Sequence, residues 1–172
     1  LLLLLVNASA YAFSKNAWSV RNENIGSSGV TEDSESASAG DWPMFHHDLS
    51  HSGCSTSTAP DTNHTLWISN TSDWVFSSPA VDGGLVYVGS EDGRVYALNA
   101  ATGTQIWNYS TNVLYSSPAV ANGIVYVGST DHKVYALNAT TGALVWKYTT
   151  GDEVYSSPAV VNGVVFVGSF DR

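Results

Sequence analysis

The sequence predicts an all-β chain of equal four-stranded antiparallel units, and three repeated features support this prediction. The segment Ser-Ser-Pro-Ala-Val occurs three times, at spacings of 39 and 40 residues: Ser77–Val81, Ser116–Val120 and Ser156–Val160. Tryptophans keep nearly the same step at Trp67, Trp107 and Trp146. Val, Ile, Tyr and Trp are concentrated between short turn sequences, which is typical of strands. A fixed period near 40 indicates an array of equal supersecondary units.

The second unit shows the order of its strands most clearly. Asn122-Gly123 predicts a type I′ turn, since both central residues of that turn need a positive φ. Short strands are predicted on either side of the turns in this unit: 116–120, 124–129, 134–138 and 143–149. In the first unit, Asp82-Gly83-Gly84 is interpreted as a turn one residue longer. Four-stranded antiparallel units of this length indicate the blades of a β-propeller, with a parallel β-solenoid as the alternative.

Two residue types recur at fixed places in the predicted strands. Each first strand contains a proline, which cannot donate to a ladder and therefore fits an edge that lines the central channel. Gly89, Gly128 and Gly168 recur in each second strand. A glycine inside a strand predicts a bulge or the close approach of another backbone.

The last hairpin of the first two units shares the motif Ala-x-Asn-x-x-Thr-Gly-x-x-x-Trp. Its residues are Ala97, Asn99, Thr102, Gly103 and Trp107 in one copy, and Ala136, Asn138, Thr141, Gly142 and Trp146 in the next. This closely resembles the tryptophan-docking motif of the PQQ-binding-like (pyrroloquinoline quinone repeat) β-propellers. That superfamily includes quinoprotein alcohol dehydrogenases, a bacterial outer-membrane assembly propeller and many surface proteins. The resemblance implies that Trp107 and Trp146 lie between neighbouring blades and stack on the peptide plane near the glycine.

The resemblance extends to the segment before the repeats. Residues 41–48, followed by Ser52-Gly53, are similar to the lead-in of many such propellers. Trp67 departs from the motif because Asn63 occupies the glycine position, and we expect Thr65–Ser69 to be an outer strand that closes the ring. The predicted organisation is a lead-in with this ring-closing strand at 41–76, blades at 77–115 and 116–155, and a partial blade at 156–172. Closed propellers have about four to eight blades, so we interpret the sequence as an amino-terminal fragment with an incomplete ring. The strand at 164–168 is expected to have an uncovered outer edge.

The residues before the lead-in are predicted to lie outside the propeller. Leu1–Val6 is an apolar run, and Ala10-Tyr11-Ala12 has the small-x-small pattern of a signal-peptidase site. Residues 1–12 are therefore interpreted as the remnant of a signal peptide, with a core strand or helix as the alternative. Residues 13–40, rich in Ser, Gly and acidic side chains, are predicted to be a disordered linker. Together these features predict an extracytoplasmic protein, secreted or at the cell surface.

The charge balance restricts the partners. Six Lys and Arg stand against 15 Asp and Glu, giving a net charge of −9 at pH 7, which argues against nucleic acid and anionic lipid surfaces. Other proteins or surface components are the expected partners, and no membrane insertion of the mature chain is expected. The single cysteine, Cys54, excludes an internal disulfide. Glycosylation is open at the Asn-x-Ser/Thr sequences of Asn7, Asn63, Asn70, Asn108 and Asn138.

Two groups of residues could carry chemistry, and each also has a simpler interpretation. Imidazoles and a thiol that could bind zinc or copper cluster in the lead-in, with one more histidine further on: His46, His47, His51, Cys54 and His64. Their spacing matches no standard zinc finger, so no metal site is predicted. Quinoprotein dehydrogenases hold their quinone with a calcium ion, a catalytic aspartate and two adjacent cysteines. This chain has no Cys-Cys pair, and its blade aspartates lie at or beside predicted turns, where aspartate usually serves turn geometry: Asp82, Asp92, Asp131, Asp152 and Asp171.

A third candidate is formed by the aromatic residues that precede each Ser-Ser pair, in the segments 74–76, 112–115 and 152–155. A ring of such aromatics could form a ligand or partner surface, although packing of Tyr115 and Tyr155 between blades is the favoured interpretation. The sequence thus predicts a non-catalytic propeller with no catalytic residues and no cofactor, acting as a binding or assembly scaffold. The alternatives are a PQQ-dependent dehydrogenase with its active site in other blades and a purely structural surface-layer component.

Overall fold

The computed structural model describes residues 10–14, 41–45, 47 and 63–171. Its strands are β1 (Ala10–Ser14), β2 (Ala80–Asp82), β3 (Leu85–Ser90), β4 (Arg94–Asn99), β5 (Gln105–Ser110), β6 (Ala119–Ala121), β7 (Ile124–Ser129), β8 (Lys133–Asn138), β9 (Leu144–Thr149), β10 (Ala159–Val161) and β11 (Val164–Gly168). The first sheet has the order β2-β3-β4-β5, the second β6-β7-β8-β9, and the third β1-β11-β10. All pairs are antiparallel, and these described segments contain no helix. The predicted all-β fold of four-stranded blades is confirmed.

The first turn of each blade has two residues with positive φ, as a type I′ hairpin requires. Asn122 and Gly123 have φ values of 52° and 69°, and the pair at 162–163 is equivalent. In the first sheet, Asp82 lies opposite Leu85, so that only the glycines at 83 and 84 form the turn. The prediction of a longer turn there was wrong, because two glycines meet the same φ requirement without an extra residue.

The third and fourth strands of each complete blade are joined with a bulge. Ala97 pairs with Trp107 while Leu98 pairs with Gln105, and the same shift occurs at Ala136 and Leu137 in the second sheet. The extra residue, Ile106 in the first sheet, is half exposed. A bulge re-aims the neighbouring side chain, and here that side chain is the tryptophan of the motif.

The hydrophobic core lies between the sheets. Residues of the first and second sheets form one cluster, which includes Tyr87, Val125 and Leu137. A second cluster joins the second sheet to the third through Tyr126 and Val165. Burial of sheet faces against each other is the packing that a propeller requires.

The start of the lead-in lies beside β2 and β6, the first strands of the first two sheets. The N–H of Trp42 donates to the carbonyl of Val81 and the reverse bond is also formed, each at 2.7 Å. The N–H of Val120 in the second sheet donates to the carbonyl of Pro43 at 2.7 Å. The lead-in therefore connects β2 with β6, and it adds the buried Met44 to the second core cluster.

Two segments differ from expectation. The stretch 63–79, which includes the predicted outer strand Thr65–Ser69, has no strand, since none of the described strands runs beside it to form a ladder. Its ring-closing role stays a prediction. Residues Ala10–Ser14, which were assigned to the signal-peptide remnant and the linker, form β1 and pair with β11 from Ala10↔Gly168 to Ser14↔Val164. The outer edge of β11 is therefore covered rather than open.

Candidate functional site

Trp107 lies against the last turn of the following blade. Its indole N–H donates to the carbonyl of Ala139 at 2.8 Å, and the side chain is buried at 8% exposure. A Cβ added to Gly142 would lie 2.7 Å from the ring atom Cδ2 of Trp107. The ring thus rests on a backbone surface that only glycine leaves open.

The other motif residues form the turn on which the ring rests. In the second copy, the Asn138 side-chain oxygen accepts from the N–H groups of Thr140 and Thr141 at 3.1 and 2.9 Å, and from the Thr141 hydroxyl at 3.0 Å. In the first copy, Asn99 holds Thr102 in the same way. Gly142 has a φ of 70°, which suits glycine. Ala97 and Ala136 have no exposed surface and lie opposite the tryptophans in the ladder.

Trp67 makes the same contact one blade earlier, although the residues before it lack the motif. Its indole N–H donates to the carbonyl of Ala100 at 2.8 Å, and a Cβ at Gly103 would lie 2.6 Å from its ring. Trp146 is partly buried and packs against the second core cluster, with its ring centroid 5.9 Å from that of Tyr126. The contribution of all these residues to stability stays a prediction.

The paired serines have two separate tasks that the sequence analysis missed. The first serine binds the glycine of its own second strand: Ser77 donates to the carbonyl of Gly89 at 2.9 Å and accepts from its N–H at 2.8 Å. The second serine links neighbouring sheets, because the N–H of Ser78 donates to the hydroxyl of Ser117 at 2.9 Å. In the later copies, Ser116 accepts from the N–H of Gly128, Ser156 bonds to Gly168 in both ways, and the N–H of Ser117 donates to the hydroxyl of Ser157. A constant spacing of 12 residues between serine and glycine was the available signal.

The chain has two chemically different ends. Strands alternate in direction, so the loops between blades and the second turn of each blade meet at one end, here called the loop end: 70–79, 91–93, 111–118, 130–132, 150–158 and 169–171. The remaining turns lie at the opposite end, here called the turn end: 83–84, 100–104, 122–123, 139–143 and 162–163. Backbone hydrogen bonds tie each loop to the turn beside it, as from the N–H of Phe170 to the carbonyl of Glu153 at 3.0 Å.

An aromatic row crosses the loop end over all three sheets. It consists of Trp74, Phe76, Tyr115, Tyr155 and Phe170, with neighbouring ring centroids 5.6, 5.8, 5.1 and 4.9 Å apart. Tyr115 and Tyr155 are stacked at an interplanar angle of 11°. Trp74 is 70% exposed and Phe170 63% exposed. The rings pack on one another across neighbouring blades, yet the row itself faces solvent.

Carboxylates border the row. A hydrogen bond to Glu91, together with burial, raises the pKa of Tyr115 to about 12. A hydrogen bond to Glu153, followed by burial, also raises the pKa of Tyr155 above its usual value. Both phenols are therefore neutral donors at physiological pH, and the negative charge of this border stays on the carboxylates.

The carboxylates do not form the site that the resemblance suggests for a quinone. Asp92 and Asp131 accept from the hydroxyls of Tyr96 and Tyr135, each at 2.6 Å. Within the described part of the chain, no three His, Cys, Asp or Glu side chains come together in a group that could hold a metal ion. The stacked pair of Tyr115 and Tyr155 also leaves no gap for a planar ring. The described residues therefore do not fit PQQ with calcium.

The histidine cluster is only partly described. His46, His51 and Cys54 lie outside the described residues. The rings of His47 and Trp42 form a T-shaped pair with a centroid distance of 4.8 Å, and His64 is exposed. No helix long and apolar enough to cross a membrane occurs in the described segments.

Comparison with known proteins gives a consistent result. The sequence profile of a family described as outer membrane protein assembly factor BamB matches residues 14–117 and 110–172. No curated protein matches the chain. Among solved structures, BamB from Moraxella catarrhalis is 25% identical with a TM-score of 0.56, covering 60% of this chain and 33% of its own. The quinohemoprotein alcohol dehydrogenase of Comamonas testosteroni is 27% identical with a TM-score of 0.65, covering 74% and 23%. A europium-containing methanol dehydrogenase is 24% identical with a TM-score of 0.64, covering 75% and 27%. The chain thus spans about a quarter to a third of the length of these structures.

Proposed function

The chain belongs to the family described as outer membrane protein assembly factor BamB, and on this premise we propose that it is an exported, non-catalytic β-propeller that acts as a protein-binding or assembly scaffold at the cell surface. The name of that family concerns assembly, and the similar structure from Moraxella catarrhalis carries the same name. Export is supported by the apolar run at 1–6 and the small-x-small pattern that follows it. The partner and the cell surface location are part of this proposal.

The exposed aromatic row carries the proposal. Its end rings, Trp74 and Phe170, are among the most exposed large apolar side chains described, although burial would stabilise such rings by removing them from water. Contiguous exposed aromatics on a rigid scaffold are typical of protein interaction sites. The row is rigid because its loops are bonded to the neighbouring turns and its rings pack on one another.

A photo-crosslinking experiment tests this function in the host. p-Benzoylphenylalanine replaces Phe170 or Tyr155 in the row, and Thr140, an exposed residue at the turn end, in a matched control. Discrete crosslinked adducts are expected from the row positions and not from Thr140. Adducts of equal yield at both ends, or none from the row, would contradict a binding role for the loop end.

A PQQ-dependent dehydrogenase is the second candidate, favoured by the structural similarity to the quinohemoprotein alcohol dehydrogenase. The described carboxylates do not support it, because Asp92 and Asp131 are already bonded to tyrosines. The chain is mixed with PQQ and calcium, and reduction of an artificial dye is followed with short-chain alcohols. We expect no alcohol-dependent reduction. A rate that requires both PQQ and alcohol would replace the scaffold proposal with the enzyme.

A further inference from the structure

We propose that the loop end binds an extended, arginine-containing segment of its protein partner, with guanidinium groups placed on the open ring faces of the aromatic row and beside its carboxylates. This inference rests on the scaffold function proposed above and adds the chemistry of the partner. It follows from the arrangement of charge, from the orientation of the rings and from the length of the row.

Negative charge is concentrated at the loop end. Seven of the eight acidic residues in 63–171 lie there: Asp73, Glu91, Asp92, Asp131, Asp152, Glu153 and Asp171. The eighth, Asp82, ends β2 at the turn end. Two cationic side chains lie near these carboxylates. Arg94 is beside Asp92, and Lys133 pairs with Asp131 at 3.0 Å. Such a surface repels anions and attracts a cationic partner.

The carboxylates indicate an extended partner rather than a single ion. They are distributed along the row over three blades, from Asp73 in the first loop to Asp171 beyond β11. No three of the described metal-ligating side chains converge on one point. Several separate positive charges on one chain fit this arrangement better than one metal ion does.

The orientation of the rings selects the kind of contact. Because Tyr115 and Tyr155 stack face to face, a ligand meets only their edges. Open faces remain at the ends of the row, on Trp74 and Phe170. Planar guanidinium groups stack on such faces and also hydrogen-bond to carboxylates, which an ammonium group does less well. Arginine is therefore preferred over lysine.

The length of the row suits an extended peptide. Alternate side chains of an extended peptide project on the same side and are separated by about 6.5 Å. Neighbouring ring centroids of the row are 4.9–5.8 Å apart. The two spacings differ, so side chains need not meet every ring, but an extended segment can run along the row and reach the open faces at its two ends.

The test uses fluorescence anisotropy with the purified chain and a labelled peptide of alternating Arg and Ser, compared with the same peptide carrying Lys or Glu. Binding is expected to follow the order Arg, Lys, Glu, and to weaken as salt screens the charges beyond about 10 Å. Trp74→Ala should weaken arginine-peptide binding about two- to fivefold. The double variant Glu91→Gln/Glu153→Gln should weaken it to a similar or greater extent, while its amides can still accept from the tyrosine hydroxyls.

Asp82→Asn is the control for net charge, because it removes one charge at the turn end, half of the charge that the double variant removes, and its binding should equal that of the unmodified chain. An equal loss in this control would show attraction to net charge alone and would overturn the proposal. Competition by spermine as effective as the peptide would overturn the assignment to a protein segment. If the Glu91/Glu153 variant binds normally while the row still gives crosslinks in the host, the partner chemistry is wrong and the scaffold function stands.

Discussion

Replacement of Trp107 by alanine should remove one of the main contacts between the first and second blades. A buried tryptophan hides ~150–250 Å², which at ~25 cal/mol per Å² amounts to about 4–6 kcal/mol as an upper value. The carbonyl of Ala139 loses the indole but keeps the Tyr87 hydroxyl at 3.3 Å, so no unpaired acceptor is added. We therefore expect Trp107→Ala to lower the free energy of unfolding by about 3–5 kcal/mol, the range of other buried aromatics.

Urea unfolding followed by far-ultraviolet circular dichroism measures this loss. Variants of the neighbouring residues Trp67 and Leu66 serve as references. Trp67→Ala removes the same type of contact from a more exposed ring and should cost less. Leu66→Ala changes a side chain that is 78% exposed and should alter stability by no more than about 0.5 kcal/mol. If Trp107→Ala cost less than about 1 kcal/mol, the ring would not be holding the blades together.

Three further predictions concern other parts of the array. Gly142→Ala should be more destabilising than Gly123→Ala, because both glycines have a φ near 70° but only a Cβ at Gly142 meets the Trp107 ring. In a Trp107→Ala background the two glycine variants should be equally destabilising. A difference that persists there would show that contact with the ring is not the cause. Burial, followed by the charge of Asp82, raises the pKa of Tyr87 to about 12. The contribution of this neutral phenol to stability is therefore present below about pH 10 and is lost as the pH rises from there towards 12. In urea titrations across this range, the free energy of unfolding should fall less steeply with pH for Tyr87→Phe than for the unmodified chain, and equal slopes would refute the assignment. In the third sheet, the turn at 162–163 directs the N–H groups of Val165 and Val167 away from β10 and towards Phe13 and Tyr11 of β1. The double variant Tyr11→Pro/Phe13→Pro, which removes the two β1 N–H groups of these pairs, should speed hydrogen exchange at Val165 and Val167 and leave Val164 and Phe166 slow; unchanged exchange would mean that β1 does not cover this edge.

Most of the fold follows from local chemistry that a sequence displays. Asn122-Gly123 predicts a type I′ turn because few residues accept positive φ, and the strands on either side follow from their β-branched and aromatic content. The bulge before Trp107 and the pairing of β1 with β11 did not follow, since both depend on which backbone is the neighbour in space. The turn in the first sheet was misjudged because Asp82 was counted in the turn rather than in the strand.

The candidate site was less predictable than the fold. The recurrence of Phe76, Tyr115 and Tyr155 before the serines was visible, but packing between blades and exposure to solvent were treated as alternatives. The structure combines them, because each ring packs on the next while the row faces solvent. Phe170 joins the row from a turn of the third blade. The repeat did not predict this aromatic residue, since Glu91 and Thr130 occupy the equivalent positions in the other blades.

The position of β1 gives the proposed export a consequence for the third blade. Ala10-Tyr11-Ala12-Phe13-Ser14 follows the pattern of the third strand Val134-Tyr135-Ala136-Leu137-Asn138, and the two pair with their second strands in the same register. The small-x-small pattern Ala10-Tyr11-Ala12, on which the proposed export partly rests, falls inside this same stretch. If the proposed export includes a cut after Ala12, only two residues of β1 would stay on the edge of β11. Such a cut would open that edge to a new neighbouring strand.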